Sequence, residues 1–236
     1  VGTKFVGWQK QLNGKSVQKE IENKLSKLLK QKVIIHGSGR TDAGVHAIEQ
    51  SAHFDTKSKI KETKKLVKSL NFFLNPKKIS IISICIRKKE FHARFSAKQR
   101  IYKYFIINRL AASTLENERA WHIRNKLDVK LLKEGAKKLV GTHDFSTFRA
   151  ANCYAKSPIK KMNKITVKNI NNKIQIEFRS KSFLRNQVRS MVGCLKKLAE
   201  KKWDMKKFEY VFKSKKRSKC APPAPAHGLY LAKVIY

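Results

Sequence analysis

Residues 37–47 read GSGRTDAGVHA, a stretch in which glycines at positions 37, 39 and 44 surround a single carboxylate, Asp42. It follows the short apolar run VIIH at 33–36, which is typical of a buried strand. Glycine lets a backbone approach a ligand closely and adopt conformations that other residues avoid. Asp42 is therefore either a group that acts on a ligand or the first residue of an Asx-turn that orders a tight connection. Spacing alone leaves both interpretations open.

The charge of the chain points to a polyanionic partner. Of 236 residues, 55 are Lys or Arg and 16 are Asp or Glu, which gives a formal net charge of +39. A folded chain with this charge repels itself unless much of the charge meets an anion, and contacts of Lys and Arg with phosphates supply most non-specific affinity for nucleic acid. A general enrichment in lysine is the alternative source of part of the excess. Nucleic acid is the partner that the charge favours.

The sequence shows no pattern typical of a metal site or of a membrane span. The cysteines form no C-x-x-C pair and stand at positions 85, 153, 194 and 220. Since His, Cys and carboxylate residues do not cluster either, we expect no metal and no cofactor, and we expect the thiols to be reduced, as in the cytoplasm. No signal peptide is recognisable, and no apolar run approaches the roughly 20 residues that a membrane span needs. We therefore expect a cytoplasmic protein that does not enter a membrane.

Hydrophobic periodicity predicts a first α+β series of elements. A helix begins near Val17 with Ser16 as its cap, and a second helix covers about 62–74. Three strands are predicted from β-type patterning, at 33–36, 51–55 and 79–86.

A second α+β series follows the stretch EFHARFSAKQR at 90–100, which we interpret as a crossover. The predicted elements are a strand at 101–107, a helix begun by Asp128, a hairpin that turns at Asn171-Asn172, a helix within 182–200 and a closing strand at 229–236. The similar rhythm of the two series predicts an α+β protein with two halves, residues 1–95 and 96–236, and a cleft between them.

Two further groups of residues are candidates for binding. Tyr102 and Tyr104 lie at strand spacing among basic residues, so both could stack on unpaired bases, although packing in the core is the usual fate of such tyrosines. Arg185 and Arg189 lie four residues apart on one border of a helical apolar stripe. One of them could pair with Asp42, and both could equally be flanking charges or phosphate ligands.

Six segments, in order along the chain, resemble the tRNA pseudouridine synthases of the TruA type. They are GTKFVGWQKQ (2–11), GSGRTDAGVHA (37–47), HARFSAKQRIYKY (92–104), GTHDFSTFRA (141–150), SFLRNQVRSMVG (182–193) and HGLYLAKVIY (227–236). The resemblance implies the pseudouridine synthase fold, in which two similar α/β-sandwich halves with mainly antiparallel sheets form a continuous sheet and a central basic cleft.

The resemblance also implies a role for individual residues. Asp42 matches the essential aspartate, and Arg189 matches the arginine that pairs with it. Tyr102 matches the tyrosine that packs on the target base, and Arg40 the residue that helps to hold the target nucleotide out of the helix. Leu229 matches an apolar position that lines the pocket.

The implied activity is the isomerisation of uridine to pseudouridine at positions 38, 39 and 40 of the anticodon stem-loop of tRNA, by a homodimer that needs neither metal nor cofactor. The target base must leave its stack before it can react. A non-catalytic tRNA- or rRNA-binding protein is the alternative, since charge, aromatic residues and α+β rhythm fit it equally well. The combination of Asp42, Tyr102 and Arg189 favours the enzyme, because binding alone does not require it.

Overall fold

The computed structural model describes all of residues 1–236, which fall into two units. The first unit contains residues 1–98 together with 234–236, and the second contains residues 99–233. Both contain helices and strands, and most strand pairs are antiparallel, which confirms the predicted α+β class. None of the helices has the length and apolar character needed to cross a bilayer.

The first unit has little regular sheet. Its helices are α1 (Val17–Leu28) and α2 (Thr63–Leu74), and its short strands are β1 (His36–Gly37), β2 (His46–Ala47) and β3 (Ala52–His53). Helix α1 begins where the sequence predicts, because the side chain of Ser16 accepts a hydrogen bond from the Lys19 N–H. Strands β1 and β3 pair antiparallel.

Side chains of α1 take the place of a neighbouring strand for residues 33–35. Ser26 Oγ accepts from the Val33 N–H at 2.9 Å, and Glu22 Oε1 accepts from the Ile35 N–H at 2.9 Å. Gln18 Nε2 donates to the Ile35 carbonyl at 2.9 Å. Residues 18, 22 and 26 share one helical face. The predicted strand at 33–36 is therefore wrong except at its last residue, which begins β1.

The predicted strand at 79–86 is also wrong, for the same kind of reason. The amide side chain of Asn71, in α2, accepts from the Ile81 N–H at 2.7 Å and donates to the Ile81 carbonyl at 2.9 Å. The Ile79 N–H donates to the Leu74 carbonyl. The segment is apolar and β-branched, yet its described main-chain bonds go to a helix instead of a strand.

The second unit is built on a larger sheet with the strand order β9-β4-β8-β7-β6. Its strands are β4 (Gln99–Asn108), β5 (Trp121–Ile123), β6 (Gly141–Asp144), β7 (Ile159–Ile170), β8 (Lys173–Ser180) and β9 (Leu229–Ile235), of which β5 pairs parallel with β4. Asn171 and Asn172 connect β7 to β8 with φ values of 48° and 64°, as expected for the hairpin turn that the sequence predicts.

Three helices accompany this sheet. They are α3 (Val129–Lys138), α4 (Gln187–Ala199) and α5 (Met205–Lys213). The carboxylates of Asp128 and Asp204 cap α3 and α5 by accepting main-chain N–H groups of the first turn. Helices α3 and α4 approach closely at Gly135, where an added Cβ would lie 2.6 Å from a Leu198 methyl carbon.

His53, in the first unit, lies among other imidazoles. Its ring centroid is 5.1 Å from that of His36 and 4.5 Å from that of His92, and its Nδ1 accepts the Ala93 N–H at 3.1 Å. Burial lowers the pKa of His53, and the neighbouring charges of His92 and His36 lower it further. The neutral ring is the form that the first unit stabilises.

We therefore expect the free energy of unfolding to fall as the pH drops from about 7 to about 5. The unfolded chain takes up a proton at His53 near the ordinary pKa of 6.5, whereas the folded chain takes it up at lower pH, so stability is present above 6.5 and lost below it. His53→Asn, which keeps an acceptor for Ala93 and does not titrate, should lose less stability over this range in urea unfolding. The pKa of His227 is also lowered, mainly by burial. His227 is present in both the parent protein and the His53→Asn variant, so its contribution cancels when their stabilities are compared. An equal loss in both proteins would contradict the prediction.

Candidate active site

Asp42 begins a turn that is closed by the main chain. Its carbonyl accepts a hydrogen bond from the Val45 N–H at 3.1 Å. Gly44, the third residue of the turn, has a φ of 76°, which favours glycine at this position. Asp42 is partly exposed, whereas Val45 and His46 are buried. The closing hydrogen bond of this turn therefore does not use the carboxylate.

The opening segment of the chain, residues 2–8, forms hydrogen bonds with the main chain on both sides of Asp42 and so supports this turn. The Trp8 N–H donates to the Thr41 carbonyl at 3.1 Å, and the Gly44 N–H donates to the Phe5 carbonyl at 3.4 Å. The approach is so close at Gly2 that an added Cβ would lie 2.0 Å from the Val45 carbonyl oxygen. The motif at 2–11 is thus the support of the motif at 37–47.

His46 also links the opening segment to the turn. Its ring is 3% exposed, and its Nδ1 accepts the Gly2 N–H at 3.0 Å. The sequence leaves the role of His46 open, because spacing gives no sign of a partner 44 residues away. In the structure His46 holds the opening segment against the turn that carries Asp42.

Arg40 extends from the other end of the same loop and is exposed. The main chain just before it is fixed by Gln50 and Ser51, since Gln50 Nε2 donates to the Gly39 carbonyl and the Ser38 N–H donates to the Ser51 carbonyl, both at 2.8 Å. Arg40 and Asp42 therefore share one rigid loop in the first unit.

Tyr102 and Tyr104 lie on β4 in the second unit and differ in environment. Tyr102 is opposite Phe178 of β8, and its ring makes an edge-to-face contact with Phe183 at 5.0 Å, with 8% of its surface exposed. Tyr104 is fully buried and donates its hydroxyl to the Pro225 carbonyl at 2.8 Å. Burial raises the pKa of Tyr104 far above its usual value, despite the nearby charge of Arg189. Tyr104 is a core residue.

Arg189, near the start of α4, makes hydrogen bonds through both its side chain and its main chain. Its Nε donates to the Ala224 carbonyl at 2.7 Å, and its own carbonyl accepts the Ala224 N–H at 2.9 Å. Asn186, which precedes α4 with a φ of 61°, has its Oδ1 3.4 Å from Arg189 Nη1. Arg189 is partly buried, whereas Arg185 is exposed. Leu229, which begins β9, is buried in the same unit.

Asp144, in the motif GTHDFS, is a turn former. Its Oδ1 accepts the Ser146 N–H at 2.8 Å, and Lys215 Nζ lies 3.6 Å from its other oxygen. Burial opposes ionisation, but the hydrogen bonds from Ser146 and the charge of Lys215 outweigh it and lower the pKa of Asp144. This is the Asx-turn interpretation that the sequence also offered for Asp42.

The candidate residues are thus distributed over both units, with Asp42 and Arg40 in the first and Tyr102, Arg189 and Leu229 in the second. No group of three or more His, Cys, Asp or Glu side chains is arranged to hold a metal ion.

Comparison with known proteins identifies the family of the chain. A family model described as tRNA pseudouridine synthase matches residues 1–96 and 136–236. The chain is 65% identical over 236 residues to the tRNA pseudouridine synthase A of Pelagibacter ubique (strain HTCC1062), covering all of this chain and 96% of the relative. It is 42% identical over 235 residues to the protein of the same name from Maricaulis maris (strain MCS10), covering all of this chain and 94% of the relative. The chain belongs to the tRNA pseudouridine synthase family.

Proposed function

We propose that this protein converts uridine to pseudouridine in tRNA and that Asp42 is its catalytic residue. The observation that carries the assignment of Asp42 is its turn, which is closed by main-chain atoms and braced by residues 2–8. Such a turn gives a partly exposed carboxylate a fixed position. The full-length similarity to proteins named tRNA pseudouridine synthase A supports the reaction and its substrate.

The reaction rearranges one nucleotide without net gain or loss of atoms. The bond from N1 of uracil to C1′ of the ribose breaks, the base turns, and C5 bonds to C1′, while C5 loses a proton and N1 gains one. The base must first leave its stack. A carboxylate next to the sugar is suited to the bond-breaking step, as in glycoside chemistry, because charge develops at C1′. Asp42 supplies that carboxylate in our proposal.

The residues of the second unit have supporting roles in this proposal. Arg189 pairs with Asp42 as its charge partner, since a guanidinium can form a hydrogen-bonded ion pair with a carboxylate. The hydrogen bond from its Nε to the Ala224 carbonyl limits the rotation of the guanidinium plane, so one orientation of the guanidinium is favoured. Tyr102 packs on the target base, with its ring held by Phe183, and Leu229 lines the pocket. Arg40, exposed beside Asp42, contacts the displaced nucleotide.

We further propose that the targets are uridines 38, 39 and 40 of the anticodon stem-loop, and that the protein acts in the cytoplasm as a homodimer. The net charge of +39 supports recognition of tRNA mainly through its backbone. Sedimentation equilibrium of the free protein should then give twice the chain mass of 27.3 kDa. The rival assignment is a tRNA- or rRNA-binding protein without catalysis, and the test of Asp42 separates the two.

Asp42→Asn should lower the rate of pseudouridine formation at least about 100-fold, because the amide cannot act as a base or nucleophile. The affinity for tRNA should stay within a few-fold, since cations supply the binding. Carbodiimide mapping of the anticodon arm gives the rate and the modified positions, and filter binding gives the affinity. Asp144→Asn is the matched control and should leave the rate within about threefold, because that carboxylate only orders a turn. Full activity of Asp42→Asn would rule out its catalytic role.

Arg189→Ala should lower kcat at least about tenfold, with little change in the KM for tRNA, because the charge partner of the carboxylate is lost. Arg189→Lys keeps the charge but loses the planar fork and should recover the rate only in part. Arg185→Ala, an exposed arginine four residues away, is the control and should leave kcat unchanged. A rise in KM at constant kcat in Arg189→Ala would instead identify Arg189 as a phosphate ligand.

A further inference from the structure

Residues 217–224 form a strap that lies along α4 in the second unit. Arg217 Nη1 donates to Ser190 Oγ at 2.9 Å near one end of the strap. At the other end, Ala224 exchanges two hydrogen bonds with Arg189. Between them the fit is close, because a Cβ added at Gly193 would lie 2.2 Å from the Pro222 carbonyl oxygen. The position of the strap therefore determines the surroundings of Arg189.

Two thiols meet between the strap and the helix. The Sγ of Cys220, on the strap, lies 3.5 Å from the Sγ of Cys194, on α4. Cys194 is fully buried, whereas Cys220 is partly exposed. Neither thiol has a place in the proposed reaction on tRNA.

The surroundings of the two thiols shift their pKa values in opposite directions. The hydrogen bond from Cys194 lowers the pKa of Cys220, burial opposes this effect, and the positive charge of Arg217 adds to it. The same hydrogen bond, together with burial, raises the pKa of Cys194 well above its usual value. Cys220 is therefore the more acidic of the two thiols. A partly exposed thiolate beside a second thiol is the arrangement of a redox-sensitive cysteine with its resolving partner.

We propose that Cys220 and Cys194 are an oxidisable pair that hydroperoxides convert to a disulfide. The Cys220 thiolate attacks the O–O bond of the hydroperoxide, forms a sulfenic acid and releases an alcohol, or water from hydrogen peroxide, after proton uptake. The Cys194 sulfur then bonds to the Cys220 sulfur, and the sulfenic oxygen leaves as water with the thiol proton. Two electrons pass from the two sulfurs to the hydroperoxide.

The disulfide also acts on Arg189, a consequence that rests on its proposed role in the reaction. A disulfide requires a sulfur separation of about 2.05 Å, so the two sulfurs must come closer than their present 3.5 Å, and in our proposal part of this movement is taken up by the strap at Cys220. Ala224, four residues further along the strap, carries the carbonyl that accepts from Arg189 Nε. Displacement of a positioned group by about 1 Å lowers rates strongly. The oxidised protein should therefore isomerise uridine about tenfold more slowly than the reduced protein, at similar affinity for tRNA.

The chemical part of the proposal is tested by treating the reduced full-length protein with hydrogen peroxide and then denaturing it to titrate its thiols. Of the four thiols, the two at Cys194 and Cys220 should disappear together, with a mass lower by two hydrogens and a cross-linked Cys194–Cys220 peptide. Cys194→Ser should leave a sulfenic acid at Cys220 that dimedone traps, and Cys220→Ser should form no disulfide. Cys85→Ser and Cys153→Ser are matched controls and should still form it. Oxidation confined to Cys85 or Cys153 would overturn the proposal.

The effect on catalysis is tested in the same samples. The rate on tRNA should fall on oxidation and return after dithiothreitol, and Cys220→Ser should keep its rate in peroxide. A disulfide that leaves the rate unchanged would overturn the link to Arg189. A reduced protein without any pseudouridine-forming activity would instead refute the proposed function, while thiol titration and peptide mapping would still decide the fate of the cysteine pair.

Discussion

The hydrogen bonds from residues 2–8 to residues 41–46 are the constraint on which the Asp42 loop depends. Residues 38–45, between β1 and β2, lie outside any strand, so strand pairing does not fix them directly. The support of the loop comes instead from main-chain hydrogen bonds made by the Trp8 and Gly44 N–H groups. The His46 ring adds a third hydrogen bond, which it accepts from the Gly2 N–H. Because Gly2 has no room for a side chain, this contact tolerates almost no change on either side. In the reaction that we propose, a main chain held in this way would not need to reorganise before the Asp42 carboxylate acts.

Strands β4, β7, β8 and β9 and helices α3 and α4 could be predicted from sequence because each carries its own local signal, whereas the shorter elements β5, β6 and α5 are not among the predicted ones. Asp128 caps a helix, Asn171-Asn172 turns a hairpin, and the apolar stripe of α4 has a helical period. The segments at 33–35 and 79–86 have an equally strong β pattern but do not form strands. Their main-chain groups bond to side chains of α1 and to Asn71, and no local pattern reports that a helix side chain will replace a neighbouring strand. Periodicity detects which face is buried, not where the main-chain hydrogen bonds go.

The candidate site shows the same division. Asp42 and its glycines stand out in the sequence, and the six ordered motifs identify Tyr102 and Arg189 by resemblance. The supporting contacts could not be derived in this way, since Gly2 and His46 are 44 residues apart and Arg189 and Ala224 are 35 apart. Contacts between residues this far apart in the sequence become visible only in the folded structure. The same is true of Cys194 and Cys220, which lack the short spacing by which paired cysteines are usually recognised.

Residues 234–236 belong to the first unit although 135 residues of the second unit precede them in the chain. The Ile235 carbonyl accepts the Lys98 N–H at 2.8 Å, and the Tyr236 hydroxyl donates to the Ala93 carbonyl at 2.9 Å. Ribosomes add about 5–20 residues per second, so these contacts form on the order of ten seconds after residue 98 has been synthesised. The unit that carries Asp42 is begun first and completed last. During translation, this unit therefore lacks these last two hydrogen bonds until the second unit has been synthesised.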